Sequence, residues 1–496
     1  MTKKLFKNFT TASDNSDAKA ILVCDGKIEK IGINDEFAGD FDIVHDLQGG
    51  TLLPGFIDTH THFLHSALSF DWLNLSECTS VENVKEKIFF SRQESDWIKC
   101  YGYDDSCWKK TLQKCDLDSA CPNKPVVVFK VDKHSGLLNS DALETIKVPP
   151  QIDSADVRSG FFKAKAFLWL SNILSENVKD CERLKAFEKA SEIAFSKGIT
   201  TVHALEGGAG WGMGDVDFLL SLKNKKIFAP NVIIYPQTVD LNWIKSRGLK
   251  RAGGCLLVDG TIGGHNAALF EPYTDKPLEK GTLYFSDKAL FSFAQRAHLQ
   301  GLQLSFHAIG DRAVNQIVSV YEKLFEKHPK KDHRHRIEHC ELVTDQDLEK
   351  IERLEIYLAV QPVFEYLWGG KNSMYEKRLG TKRVTNRFAD YFKKNINFAG
   401  GSDFDVTSLD PLLGIHSAVN HPNKSQAISS LKAIDLFTKD AAKFSFDETN
   451  IGSIAEGKKA DFVVLSANPV YTDSVKIKDI KILQTFIAGE RVFSSK

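Results

Sequence analysis

Apolar runs that alternate with helical stretches organise this chain. Runs at 57–62, 126–131, 200–205, 231–235, 254–259, 303–307, 335–339, 356–361 and 396–401 have the length and side-chain content of strands. Between many of them the apolar positions take a helical period, as from Cys181 to Lys197 and from Asp287 to Gln300. Repeated strand–helix alternation predicts a parallel sheet covered by helices. A (β/α)8 TIM-like barrel needs eight strands, and nine runs are present. Spacing separates the odd one. His62 to Thr200 spans 138 positions, whereas His307 to His335 spans 28. One crossover does not need the longer stretch. Residues 70–180 are therefore expected to be a large insertion after barrel strand one, with the run at 126–131 inside it and lying over the barrel mouth.

The two ends have a different texture. Ala20 to Cys24, the turn Asp25-Gly26 and Lys27 to Ile31 read as a hairpin. Ala460 to Leu465 and Leu483 to Ile487 are strand-like, and Ala488-Gly489 supplies a turn. A strand-rich start and a strand-rich end predict one small β domain built from both.

Composition narrows the picture further. The 496 residues are 42% hydrophobic and 26% charged, an ordinary globular balance. A net charge of -1 gives no general affinity for nucleic acid or for an acidic membrane surface. No run reaches the length of a membrane span. The positive start, Met1 to Lys7, has no apolar stretch behind it and does not read as a secretory signal. Nine cysteines, an odd number without zinc-finger spacing, argue against a complete disulfide framework. A reducing cytoplasm and a small-molecule partner are the expectations; the sequence does not define an oligomeric state.

The candidate chemistry sits at strand ends. Gly55-Phe56-Ile57-Asp58-Thr59-His60-Thr61-His62 closes an apolar run with two histidines at i and i+2, on one face of a strand, where they can share a metal ion. Cys255, His307, His339 and Asp403 lie at four later predicted strands, at the ends where TIM-barrel sites form. His65 lies past its strand end. His333 and His335 open their strand and are expected at the barrel bottom, without a ligand role.

This series resembles the metal signature of the amidohydrolase superfamily. Pro54-Gly55-Phe56-Ile57-Asp58, Gly198-Ile199-Thr200-Thr201-Val202, His307-Ala308-Ile309-Gly310-Asp311-Arg312-Ala313, Arg336-Ile337-Glu338-His339 and Gly401-Ser402-Asp403 resemble the branch that includes N-substituted formamide deformylase. So do Asp132-Lys133-His134-Ser135-Gly136 and Gly452-Ser453-Ile454-Ala455-Glu456-Gly457. The resemblance implies a β-sandwich from residues 1–52 and 446–496 around a hydrolase barrel at 53–445. It also implies a metal site of His60, His62, Cys255, His307, His339 and Asp403. Two phrases depart from the pattern. Cys255 stands where the branch usually carries a lysine able to bridge two metals as a carbamate. Gly263-Gly264-His265-Asn266 replaces a usual Gly-Ser-Arg-Thr. A thiolate is a good zinc ligand, so zinc, as two ions or one, is the expected cofactor; otherwise Cys255 is a small buried hydrophobe.

The implied reaction is hydrolysis of a C–N bond in an amide, formamide or N-acyl group, with Asp403 carrying the proton. A deaminase or cyclic-amide hydrolase uses the same layout, and a metal-binding protein without turnover is the reading from another class. His134 and His203 are candidates for touching substrate, or else structural hydrogen-bonding histidines. Trp108, Trp368 and Phe404 line a pocket or simply pack.

Overall fold

Six of the apolar runs form strands whose every residue is buried, so they lack the in–out alternation of a half-exposed sheet. In a computed structural model, which describes residues 2–12, 18–33, 36–37, 39–91, 96–105, 108–130, 135–150, 152, 154–208, 212–223, 225 and 227–495, these six and two less buried strands run parallel. They are β1 (Phe56–Thr61), β2 (Ile199–Glu206), β3 (Asn231–Pro236), β4 (Arg251–Ala252), β5 (Gln303–Ala308), β6 (Arg336–His339), β7 (Tyr357–Val360) and β8 (Phe398–Gly400). One sheet has the order β3-β2-β1 and the other β4-β5-β6-β7-β8. The two meet beyond β1 and β8, where the Asp403 N–H donates to the His60 carbonyl at 2.8 Å and the His62 N–H to the Phe404 carbonyl at 2.9 Å. The architecture is an α/β fold of TIM-barrel type.

Helices between the strands follow local rules. Asp345–Arg353 is an example: the Thr344 hydroxyl caps the Asp347 N–H, acids fill the first turn and bases the last, and Leu348 and Ile351 face inward. No helix among the described residues is long and apolar enough to cross a membrane.

The strand expected at 254–259 is shorter and earlier. β4 ends at Ala252, and Gly253 and Gly254 follow with φ of 91° and 57°. A Cβ on Gly253 would lie 2.2 Å from the Ser305 carbonyl oxygen, so only glycine lets the chain turn there. Cys255 is carried on the turn. The chain then rejoins β5, with the His307 N–H donating to the Leu256 carbonyl and the Val258 N–H to the His307 carbonyl, both at 3.1 Å.

Contacts divide the chain into two compact units. One comprises Leu64–Phe187 and Gly207–Lys223; the other comprises Met1–Phe63, Glu188–Glu206 and Asn224–Lys496. In the first, the run at 126–131 appears as Val126–Lys130, central in a five-stranded sheet with Leu73–Asn74, Ile98–Tyr103, Ser135–Leu138 and Phe161–Lys163. Its alternate residues serve two cores: Val126 and Val128 pack with Leu117 and Cys100, Val127 and Phe129 with Phe162 and Leu170.

The second unit holds the eight parallel strands and two further sheets. Lys27–Gly32, Ala20–Cys24, Lys3–Lys7 and Ile43–Asp46 make one. Thr10–Thr11, Thr51–Pro54, Phe462–Leu465, Ile482–Ile487 and Glu490–Ser494 make the other. The sheets share a core in which Phe6 meets Phe462 and Phe486 edge-on, with centroids 5.3 and 5.0 Å away.

Candidate metal centre

The period of β1 sets Asp58 and His60 on one face, and His62 follows on the same side. Asp58 fixes the strand end: its Oδ1 accepts the N–H groups of His60 at 3.1 Å and Ser402 at 2.9 Å. His60 donates from Nδ1 to Glu338 Oε2 at 2.6 Å. Glu338 is held in turn by Arg336, whose Nε and Nη2 reach its two oxygens at 2.5 and 2.7 Å, and by the Ser305 hydroxyl. Burial opposes a charge on Glu338, but Arg336 and His60 bring its carboxyl down to about 2, so it stays ionised. The His60 Nε2 is then buried, makes no hydrogen bond and lies 3.2 Å from Asp403 Oδ1.

The other rings are oriented in the same way. His62 donates from Nδ1 to the Leu205 carbonyl at 2.8 Å, and its Nε2 lies 3.3 Å from Asp403 Oδ1. His339 donates from Nδ1 to Gln361 Oε1 at 2.7 Å, and its Nε2 lies 3.7 Å from Cys255 Sγ. An acceptor on Nδ1 fixes the tautomer and turns the Nε2 lone pair toward the common space, the usual support for metal-binding imidazoles. The strand ends are bent to achieve this. His339, Cys340 and Asp403 have φ of 71°, 49° and 53°, a region that non-glycine residues occupy at a cost.

Two overlapping donor groups result: His60, Cys255 and His339, and His60, His62 and Asp403. In each group the ligand atoms lie within 4.8 Å of one another. Burial opposes charge on His60, yet Cys255 and Asp403 hold its pKa well above the usual imidazole range. Burial likewise opposes charge on Asp403, yet His60 and His62 hold its carboxyl well below the carboxylate range. The pocket thus favours positive charge at its centre. Burial pushes the Cys255 thiol up to about 11. The orphaned His60 Nε2, the fixed tautomers and the mixed nitrogen, sulfur and oxygen donors fit a divalent metal.

His307 is placed differently from the other histidines. Its ring centroid is 4.5 Å from that of His339, but it belongs to neither donor group, and its Nδ1 lies 3.3 Å from Asp259 Oδ1. Asp259 also receives the N–H groups of Ile309 at 3.0 Å, Gly310 at 2.8 Å and Ala268 at 2.8 Å, which makes it a buttress for the strand end.

His203 accepts the Arg336 Nη1–H on Nδ1 at 3.1 Å and stacks on Tyr235, buried beneath Glu338's partner. Trp108 packs beside Tyr103 in the core of the unit that contains Leu64–Phe187. Trp368 is half-buried against Phe364, with centroids 4.7 Å apart. Phe404 gives its carbonyl to His62. His134 and Val131 lie outside the described residues. At the second departure, His265 Nε2 lies 3.1 Å from Asp275, and Arg378 also bonds Asp275, so a guanidinium comes to this loop from a later helix.

Sequence reasoning did not single out Glu338, Arg336 or Gln361. The available signal was the pair Arg336 and Glu338 at i and i+2 in a strand otherwise read as buried; unpaired charges do not persist there.

Comparison with known proteins places the chain. The amidohydrolase family model matches residues 44–493, and the chain belongs to that family, a family of metal-dependent hydrolases. It is similar over nearly its whole length to YtcJ of Bacillus subtilis (strain 168), with 28% identity over 98% of each chain. It is 27% identical to LONG AFTER FAR-RED 3 of Arabidopsis thaliana, over 98% of this chain and 90% of that one. It is 22% identical to N-substituted formamide deformylase of Arthrobacter pascens, over 97% and 96%. Among solved structures, an uncharacterized metal-dependent hydrolase from Pyrococcus horikoshii OT3 superposes with a TM-score of 0.82, covering 95% of this chain and 99% of that one at 24% identity.

Proposed function

We propose that this chain hydrolyses a C–N bond in an amide, formamide or N-acyl group, at a zinc site held by His60, His62, Cys255, His339 and Asp403. His307 completes the wall beside His339, and the two donor groups suit two ions. The observation that carries the reading is Asp403 Oδ1, which stands within 3.3 Å of the Nε2 atoms of both His60 and His62. Zinc bound there supplies Lewis acidity and lowers the pKa of water toward neutrality.

The residues do the rest. Asp403 is an acceptor poised among the metal ligands and is ionised, so its carboxylate takes the proton of the attacking water and returns it to the leaving nitrogen. Glu338 and Gln361 keep the imidazoles from turning during that exchange. The N-acyl reading also draws on the formamide-cleaving relative, a similarity that spans both chains.

The test is Asp403→Asn, which keeps the shape and removes the base. Hydrolysis across a panel of formamides, N-acyl amines, lactams and esters should fall at least ~100-fold. Near-native turnover in the variant, or an ester or lactam preference in the wild type, refutes the reading.

A further inference from the structure

A groove of about 490 Å³ lies between two neighbouring helices, α1 (Asp287–Leu299) and α2 (Asp311–Lys327). Its α2 wall follows the helical period: Arg312, Gln316, Val320, Lys323 and Lys327 recur at steps of three and four residues, so they share one face. At ~1.5 Å per residue, the stripe from Arg312 to Lys327 is about 22 Å long. The α1 wall supplies Asp287, Lys288 and Phe291.

The groove holds more positive charge than its neighbours balance. Four of its side chains are cations and one is an acid. Among the described residues, none of Lys288, Arg312, Lys323 and Lys327 forms an ion pair, whereas Glu322, beside Lys323 in sequence, is taken by Lys350 and Arg353. Lys327 is drawn over the Phe291 ring, 5.1 Å from its centroid, which keeps its ammonium beside the groove. Val320 places apolar surface between Arg312 and Lys323. The groove also has acceptors to offer. Gln316 is buried; its Nε2 donates to the Phe285 carbonyl at 2.9 Å and to Asp287 Oδ1 at 2.6 Å, and its Oε1 has no hydrogen bond.

These features select among ligands. A compact anion reaches only one end of the stripe. An extended peptide rises ~3.3 Å per residue, so about six or seven residues span it. Carboxylates answer the unpaired cations, and backbone N–H groups answer Gln316 and Asp287. A nucleic-acid backbone brings anions but no N–H donors.

We infer that the groove between α1 and α2 docks an extended acidic peptide segment of a partner protein. Its carboxylates meet Lys288, Arg312, Lys323 and Lys327, and its apolar side chains lie on Val320 and Phe291. The groove shares no residue with the metal centre, so this docking is independent of which bond the enzyme cleaves.

Fluorescence polarisation on the full chain tests it. The probe is fluorescein-labelled Glu-Phe-Glu-Glu-Phe-Glu, with Gln-Phe-Gln-Gln-Phe-Gln as its neutral counterpart. The acidic peptide should bind at least ~10-fold more tightly, as charge-assisted hydrogen bonds require, and should weaken as salt rises. Lys323 and Lys327 are exposed, so the double variant Lys323→Glu with Lys327→Glu should keep the wild-type circular dichroism and lose the difference between the peptides. The same reversal at Lys27 and Lys30, on a terminal sheet, should keep it. No binding of the acidic peptide, equal binding of the two peptides, a difference that survives the reversal in the groove, or an equal loss in the Lys27 and Lys30 control overturns the inference. Tighter binding of oligothymidylate than of the acidic peptide gives the groove to nucleic acid. A dimer in sedimentation that the groove reversal dissolves gives it to a second copy of this chain. Either result also overturns it.

Discussion

Cys255 is the residue on which the metal chemistry turns. Its thiol is pushed up to about 11 by burial, so it binds a metal only by giving up a proton. Zinc affinity should therefore weaken as pH falls, and titration of zinc content against pH measures this. Cys255→Ala should lower zinc per chain and activity together; full occupancy with unchanged kinetics would make Cys255 a packing residue. Arg336 carries a different load. It is fully buried and is the cation that balances Glu338, so Arg336→Met leaves that carboxylate uncompensated. The expected cost is about 3–5 kcal/mol in denaturant unfolding, with loss of the His60 orientation. The sequence made the ligand candidates legible because strand period and strand ends are local properties: the spacing of His60 and His62 alone puts them on one face. The partners that orient them were less legible because they are remote. Glu338 lies 278 positions from His60, and no local pattern announces that pairing. His307 stands beside His339, with ring centroids 4.5 Å apart, and its Nδ1 lies 3.3 Å from Asp259 Oδ1.

At the scale of elements, the turn after β4 decides where Cys255 stands. Leu256-Leu257-Val258 looks like a strand, but Leu257 is 48% exposed and the glycine pair before it breaks the run. Reading the apolar residues without the glycines extends the strand too far. Gly253→Ala meets both a positive φ and the Ser305 carbonyl, so it should destabilise by more than about 1 kcal/mol and reduce metal content. Unchanged metal binding in a folded variant would show that the turn tolerates a side chain. Runs such as Ile199–Glu206, Gln303–Ala308 and Tyr357–Val360 were more readable, because their apolar and β-branched residues cluster without a glycine break and need no long-range knowledge to locate.

At the scale of the molecule, acid should unfold the protein from the bottom of its strands. The Leu304 N–H donates to His335 Nδ1 at 3.1 Å; His335 Nε2 then donates to His298 Nδ1 at 2.8 Å, and His298 Nε2 to the His328 carbonyl at 2.9 Å. His333 accepts from the His335 N–H and donates to the Leu354 carbonyl, both at 2.9 Å. A second proton on any of these rings opposes an existing donor or an existing bond. Burial, with neighbouring histidines and Lys330, keeps His335 well below the imidazole range and brings His333 down to about 4. The unfolded chain takes up these protons below about pH 6.5 while the native state refuses them, so stability falls as pH drops from there toward 4. Denaturant midpoints at pH 7 and pH 5 measure the loss, and His333→Gln, which keeps a donor for Leu354, should reduce it. A second whole-molecule property comes from the antiparallel pairing of Thr51–Pro54 with Phe462–Leu465. A ribosome adds about 5–20 residues per second, so the earlier strand waits roughly 20–80 s for the later one to be made. Until then Leu52 and Leu53 present an open edge to every other nascent chain nearby. This sheet gains its central pairing only once Phe462–Leu465 has been made, and a chain cut short before Phe462 carries a sticky strand whose later partner is missing.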